Sequence, residues 1–333
     1  MGCCHSKDDS STNEPLMNAM GEAGRGRAAS GGTCSSVLSF THLVRAALEQ
    51  VPPASFPDAA AMLRDQPDTV VLDVRGTGEA ADERVAGAIN VPRGLLEFKA
   101  TVGFPGGHEN ALANRNVNVL TYCASGGRAA LAAQTLRGMG FRNARSMGSL
   151  AAWKAAGGRV WRAGDAAPAD VLRSNVNHRT PPPPIDGSAA RLVTCGTLVG
   201  AAKKAVAVLG YDAAQQAAAA AGTAVLDVRE PAEVEASGII AGAINIPRGL
   251  IEFKASADFP GGQHPALANR GVCVLTYCAS GGRAALAAQT LRGMGFTAKV
   301  MPAFTDWVTA GGIIMPMPNG RRTTFGKRSH DSK

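Results

Sequence analysis

Aromatic residues make up only 5% of this 333-residue chain, and charged residues 18%. No run of Lys and Arg interleaves with the few aromatics. Stacking on nucleic-acid bases therefore has little to build on, and no nucleic-acid partner is expected despite a net charge of +8. No apolar stretch approaches the roughly 20 residues that a membrane-crossing helix needs. No secretory apolar segment follows Met1. The 7 cysteines, an odd count, show neither a C-x-x-C pair nor a zinc-ligand spacing. They read as reduced thiols in a cytosolic setting, with no disulfide frame and no metal site. No cofactor is expected.

What is present is repetition. TYCASGGRAALAAQTLRGMGF stands at 121–141 and again at 276–296. TVVLDVRG (69–76) pairs with TAVLDVRE (223–230), AGAINVPRGLLEFKA (86–100) with AGAINIPRGLIEFKA (241–255), and FPGGHENALANR (104–115) with FPGGQHPALANR (259–270). The offset is 154 at Asp73/Asp227 and 155 from Asn90/Asn245 onward, so one residue was gained or lost between them. That period is far too long for a solenoid and fits a duplicated domain. The expected organisation is a Gly/Ser/Ala-rich tail at 1–36, a first domain at 37–161, a linker at 162–190 stiffened by PPPP, a second domain at 191–315 and a basic tail at 316–333.

Within each copy short apolar runs alternate with helical stretches. VVLDV (70–74), NVNVLTY (116–122) and VCVLTY (272–277) read as buried strands. AALAAQTLRGM (129–139) reads as a helix stopped by Gly138 and Gly140. The fold class this predicts is α/β. Two similar doubly wound domains each carry a central, mostly parallel sheet flanked by helices. Ligands in such sheets bind beyond the carboxyl ends of the strands.

Cys123 and Cys278 stand there, between a strand and a helix. Ala124, Ser125, Gly126, Gly127 and Arg128 follow the first, and Ala279, Ser280, Gly281, Gly282 and Arg283 the second. Glycines let the backbone curl so that N–H groups converge, and a helix start adds positive potential. A thiolate or a small anion suits that position. A thiolate there is expected to have a depressed pKa and to be nucleophilic, with the arginine's planar fork ready for an anionic oxygen. The bland alternative is a tight turn around an inert cysteine. It is disfavoured because PDAAAMLRDQPDT (57–69) and YDAAQQAAAAAGT (211–223) have drifted apart while the loop has not.

The combination D-V-R, G-A-I-N-x-P-R-G-x-x-E-F, Y-C-A-S-G-G-R-A and G-M-G-F, followed by a Trp and A-[AG]-G, resembles the rhodanese (thiosulfate sulfurtransferase) family over roughly 40–160 and 195–315. The resemblance implies that Cys123 and Cys278 carry a sulfane sulfur as a persulfide, cradled by Ala124–Arg128 and Ala279–Arg283. It implies a small anionic sulfur donor and a thiol or cyanide acceptor. Asp73/Arg75 and Asp227/Arg229 occupy the family's D-x-R strand end, a supporting position. Two departures stand out. The His that often precedes the family's G-A motif is absent from ERVAGA (83–88) and GIIAGA (238–243). Tandem members often keep the cysteine only in the C-terminal copy, whereas both copies here have one.

Arg93 and Arg248 either line the mouth of the site or belong to a solvated loop. Trp153 and Trp307 are expected as core anchors, and Cys273 as a small core residue. A cysteine phosphatase needs C-x5-R, and the loop here is C-x4-R, one residue short of room for phosphate. A Cys–His enzyme needs a base, but His108 aligns with Gln263 and His264 with Glu109. A non-catalytic scaffold or sulfur carrier is the other alternative. Finally, MGCCHSKDDS fits the N-myristoylation pattern at Gly2, with Cys3 and Cys4 as palmitoylation candidates. Two acyl chains would hold the protein stably to membrane lipid, on the cytoplasmic face; without them it is expected in the cytoplasm.

Overall fold

The computed structural model describes residues 38–165 and 193–316. The MGCC start, the PPPP segment and the basic tail from 317 lie outside the described residues.

The first repeat runs α1 (Phe40–Gln50), α2 (Phe56–Asp65), β1 (Val70–Asp73), α3 (Thr77–Asp82), β2 (Glu83–Val85), β3 (Ile89–Asn90), α4 (Leu96–Lys99), β4 (Asn118–Cys123), α5 (Gly127–Gly138), β5 (Asn143–Ser149), α6 (Leu150–Ala155) and β6 (Val160–Arg162). The second follows as α7 (Cys195–Ala205), β7 (Ala207–Val208), α8 (Tyr211–Ala219), β8 (Thr223–Asp227), α9 (Pro231–Ser237), β9 (Ile239–Ile240), β10 (Ile244–Asn245), α10 (Ile251–Lys254), β11 (Cys273–Tyr277), α11 (Gly282–Gly293), β12 (Thr297–Val300), α12 (Phe304–Thr309) and β13 (Ile314–Met315). The sheets are ordered β3-β1-β4-β5 and β10-β8-β11-β12-β7, and every pairing within them is parallel. Antiparallel pairs β2–β6 and β9–β13 flank them. The doubly wound expectation is met in both repeats.

Strand residues are buried on both faces, as a sheet covered by helices requires. Side chains alternate between faces. Val70, Leu72, Val119 and Cys123 pack with the α5 side, whereas Val71, Leu120 and Tyr122 pack with Trp153 on the other. Val274 and Cys278 against Leu275 and Tyr277 repeat the division. This alternation places each cysteine on the face of the helix that follows it. Trp153 and Trp307 are both buried, as expected. Cys273 is half-buried, at the first position of β11, and packs at the edge of the second repeat's core. The helix α5 ends at Gly138, and the chain reverses at Gly140, with φ 98°, as the two glycines predicted.

The repeats meet along a seam with approximate two-fold character. Phe40 N–H donates to Ser256 Oγ at 2.7 Å, and Cys195 N–H, at the matching position, donates to Thr101 Oγ1 at 2.9 Å. Phe253 crosses to Phe40 with ring centroids 4.6 Å apart, and Phe98 packs into the core of the second repeat. Each buried phenylalanine contributes about 1.5–3 kcal/mol of apolar burial.

Candidate active site

Each cysteine stands at the carboxyl end of a strand. Cys123 is the last residue of β4, and Cys278 follows Tyr277, the last of β11. The chain then turns through Gly126, at φ 95°, or Gly281, at φ 84°, into α5 or α11. That left-handed backbone costs a side chain roughly 1–2 kcal/mol, so glycine is the residue the turn requires. The turn aims one N–H back at the sulfur. Gly126 N–H donates to Cys123 Sγ at 3.1 Å, and Gly281 N–H to Cys278 Sγ at 3.1 Å. The start of a 12-residue helix faces the same sulfur.

Ala124, Ser125 and Ser280 are exposed and Ala279 is half-buried, whereas Gly126, Gly127, Arg128, Gly281, Gly282 and Arg283 are buried. Both sulfur-bearing side chains have no exposed surface. Part of the cover comes from the opposite repeat. A β-carbon built on Gly127 would lie 2.9 Å from Phe40 and 3.2 Å from Phe253, and one on Gly282 would lie 3.0 Å from Phe98. The two loops therefore lie along the seam, each walled by a phenylalanine of the other domain.

The loop arginines are not free forks. Arg128 Nη1 and Nη2 donate to Glu79 Oε2 and Oε1 at 2.7 and 3.0 Å. Arg283 makes the same two-pronged contact with Glu233, at 2.7 Å to Oε1. Burial disfavours the arginine charges, but the Glu79 and Glu233 bonds and the neighbouring cysteine sulfurs outweigh it, so both guanidiniums are held above their usual range. Burial likewise opposes ionisation of Glu79 and Glu233, yet their arginines hold both carboxyls below the ordinary value. Glu79 and Glu233 were not singled out from the sequence. Their signal was present: they are the single identity between GTGE (76–79) and EPAE (230–233).

Behind the loops, Arg75 Nε donates to Asp73 Oδ1 at 2.9 Å, and Arg229 Nε to Asp227 Oδ1 at 3.0 Å. Tyr122 O–H donates to Asp73 Oδ2 at 2.8 Å, and its oxygen accepts from Val85 N–H at 3.0 Å. Burial, then the adjacent carboxylate, pushes the Tyr122 and Tyr277 phenols well above their usual range. The D-x-R motif thus joins strand end, tyrosine and the following turn beside each cysteine.

Arg93 and Arg248 belong neither to a mouth nor to a solvated loop. They are 6% and 5% exposed, in 3-10 turns that meet across the seam. Arg93 Nη1 donates to Glu97 Oε1 and Nη2 to Thr135 Oγ1, at 2.9 and 3.0 Å; Arg248 does the same with Glu252 and Thr290, at 2.9 and 3.1 Å. A β-carbon on Gly94 would sit 3.0 Å from Gly249 N, so backbones approach too closely here for side chains. Two ion pairs, one per repeat, are buried together. Burial opposes the Arg248 charge, but Glu252 and then Glu97 of the other repeat hold it above the usual range.

Comparison with protein-family profiles matches the Rhodanese-like domain twice, at 55–156 and 211–307. The matches span more than half of the chain, and each contains one of the cysteine loops. The chain belongs to the rhodanese-like domain family, a family of sulfurtransferase type, as a tandem duplication. Among solved structures it is similar to a Rhodopseudomonas palustris protein described as a possible tyrosine phosphatase, with 28% identity over 38% of this chain and 98% of that one and a TM-score of 0.35. It is similar to a Pseudomonas aeruginosa thiosulfate sulfurtransferase, with 23% identity over 79% of this chain and 43% of that one and a TM-score of 0.30. A human single-domain sulfurtransferase shares 25% identity over 31% of this chain and 96% of its own, with a TM-score of 0.28. No curated protein matches the chain. Among the described residues no helix is long and apolar enough to cross a membrane.

Proposed function

We propose that this protein moves a sulfane sulfur from a donor such as thiosulfate to a thiophilic acceptor, using Cys123 and Cys278 as carriers. The observation that carries the reading is the repeated geometry. In both repeats a cysteine at a strand's carboxyl end accepts a loop N–H at 3.1 Å and faces a helix start. In the first step the thiolate attacks the outer sulfur of thiosulfate. The S–S bond of the donor breaks, sulfite leaves with the electron pair, and the enzyme holds a cysteine persulfide. In the second step cyanide or a thiolate attacks the outer sulfur and the cysteine thiolate leaves. This covalent two-step route gives ping-pong kinetics. Added sulfur in the intact mass after thiosulfate treatment, with thiocyanate released on adding cyanide, is the expected result. An unchanged mass under conditions that load a control rhodanese refutes it.

One observation favours a second reading, a non-catalytic scaffold: both cysteines are fully buried and both loop arginines are already paired. The same mass measurement separates the two. A phosphatase is disfavoured by the C-x4-R loop.

The place of action is proposed from residues 1–10. Myristate on Gly2 with palmitate on Cys3 or Cys4 would tether the domains to the cytoplasmic face of a membrane. Gly2→Ala then releases the protein to the soluble fraction with sulfur transfer unchanged. Wild-type protein that is fully soluble in its own cell type rules the tether out.

A further inference from the structure

The two repeats differ most pointedly at one buried position. Glu230, the residue before α9, is matched in the first repeat by Gly76. Its side chain is 6% exposed, and Oε1 has no hydrogen-bond partner. It points across the seam, since a β-carbon on Gly94 of the first repeat would lie 2.9 Å from Oε1 and 3.1 Å from Arg248 Cβ.

Charged groups face it from both repeats. Arg283 on α11 and Glu233 on α9 belong to its own domain, and Arg128 on α5 and Glu79 on α3 to the other. The two arginines are each bound by another carboxylate, and neither donates a hydrogen bond to Glu230 Oε1. The 3-10 turns beneath carry Arg93 and Arg248, paired with Glu97 and Glu252. Burial, opposed by Arg283 and reinforced by Glu233, pushes the Glu230 carboxyl up to about 7. A buried carboxylate with one oxygen unpartnered is costly when ionised, and opening the seam would hydrate it.

We propose that Glu230 is a proton-sensitive latch on the interdomain seam: neutral, it keeps the repeats closed over Cys123 and Cys278, and ionised, it favours an opening that lets substrate reach both. This would account for two cysteines with no exposed surface, whose loop glycines Gly127 and Gly282 lie against Phe253 and Phe98 of the opposite repeat. The proposal rests on the sulfurtransferase reading only for what enters; the opening itself is independent of it.

The sign follows from linkage. The closed state holds the proton more tightly than an open, hydrated state at the ordinary carboxylate value of 4.5. The closed seam is fully stabilised below that value and loses the contribution as pH rises through about 7. Between pH 6 and pH 8 the opening equilibrium should rise about tenfold.

Hydrogen exchange on the full chain tests this, read at peptides covering 93–100 and 248–255 and corrected for intrinsic exchange. Wild-type protection there is expected to fall about tenfold from pH 6 to pH 8 relative to β1 and β8. Glu230→Gln should abolish that fall and, at pH 8, slow iodoacetamide labelling of Cys123 and Cys278 severalfold. Should the Gln variant fail to fold, Glu230→Gly, which restores the residue found at Gly76, takes its place with the same expectation. An equal pH response in wild type and variant, or equal labelling, overturns the latch. Neither readout needs a sulfur donor. A normal latch in a protein that never gains sulfur would sink the proposed function and leave this inference standing.

Discussion

The two repeats share an identical 21-residue segment from strand through helix, yet they do not sit in identical surroundings. The first sheet has four strands, whereas the second gains a fifth at its edge, β7. The turn after the D-x-R motif carries Gly76 in one and a buried Glu230 in the other. Around the sulfur itself the geometry repeats to the tenth of an ångström. The duplication kept the cysteine loops and nearly all of the seam turns RGLLEFK (93–99) and RGLIEFK (248–254), and varied the residue beside them, Gly76 against Glu230. Two sites with the same local chemistry are therefore gated by one asymmetric seam.

The strongest way to break the comparison is to remove one sulfur at a time. Cys123→Ser and Cys278→Ser should each retain part of the cyanide-dependent thiocyanate release, and the double variant should lose at least about a thousandfold. Loss of all turnover in Cys278→Ser alone would show that the first repeat is silent despite its loop.

Next in size is the buried charge cluster. Arg93→Met and Arg248→Met each leave a buried carboxylate without its partner and should cost about 3–5 kcal/mol in urea unfolding. The two costs should be similar because the cluster is symmetric. A loss under 1 kcal/mol in either would mean that the glutamate left behind takes up a proton or finds water.

Smaller again, Gly126→Ala and Gly281→Ala place a side chain in left-handed backbone. Each should cost roughly 1–2 kcal/mol and shift the helix start away from the sulfur. The smallest expected effect sharpens the asymmetry. Lys154 Nζ lies 2.8 Å from Glu83 in the first repeat, and both side chains are partly exposed. Lys154→Ala should change stability by less than about 1 kcal/mol, and the effect should shrink in high salt.

The cysteine loops and the parallel-sheet fold were legible in the sequence because the signals for both are local. Apolar runs such as VVLD mark strands buried on both faces, and C-A-S-G-G-R carries its own turn chemistry in its glycines. The seam was not legible, because it depends on contacts between residues far apart in the chain. Arg93 and Glu97 look like an ordinary exposed i,i+4 pair until the matching turn of the second repeat covers them. Nothing in the E-F-K runs marks Phe98 and Phe253 as residues that pack against the other domain's loop, which only the fold shows. Glu79 and Glu233 were recoverable from the alignment of the two copies. Glu230 was not, since it is a difference between the repeats, and its importance comes from burial that only the fold supplies.

The central claim is that both loops hold sulfur. Wild-type protein treated with thiosulfate and cleaved with trypsin releases residues 116–128, containing Cys123, and residues 271–283, containing Cys273 and Cys278, as peptides of different sequence whose fragmentation assigns the sulfur to one cysteine. One extra sulfur atom on Cys123 and one on Cys278, both removed by cyanide, is the predicted result. Sulfur on neither cysteine, or on only one of them at saturating donor, would contradict it.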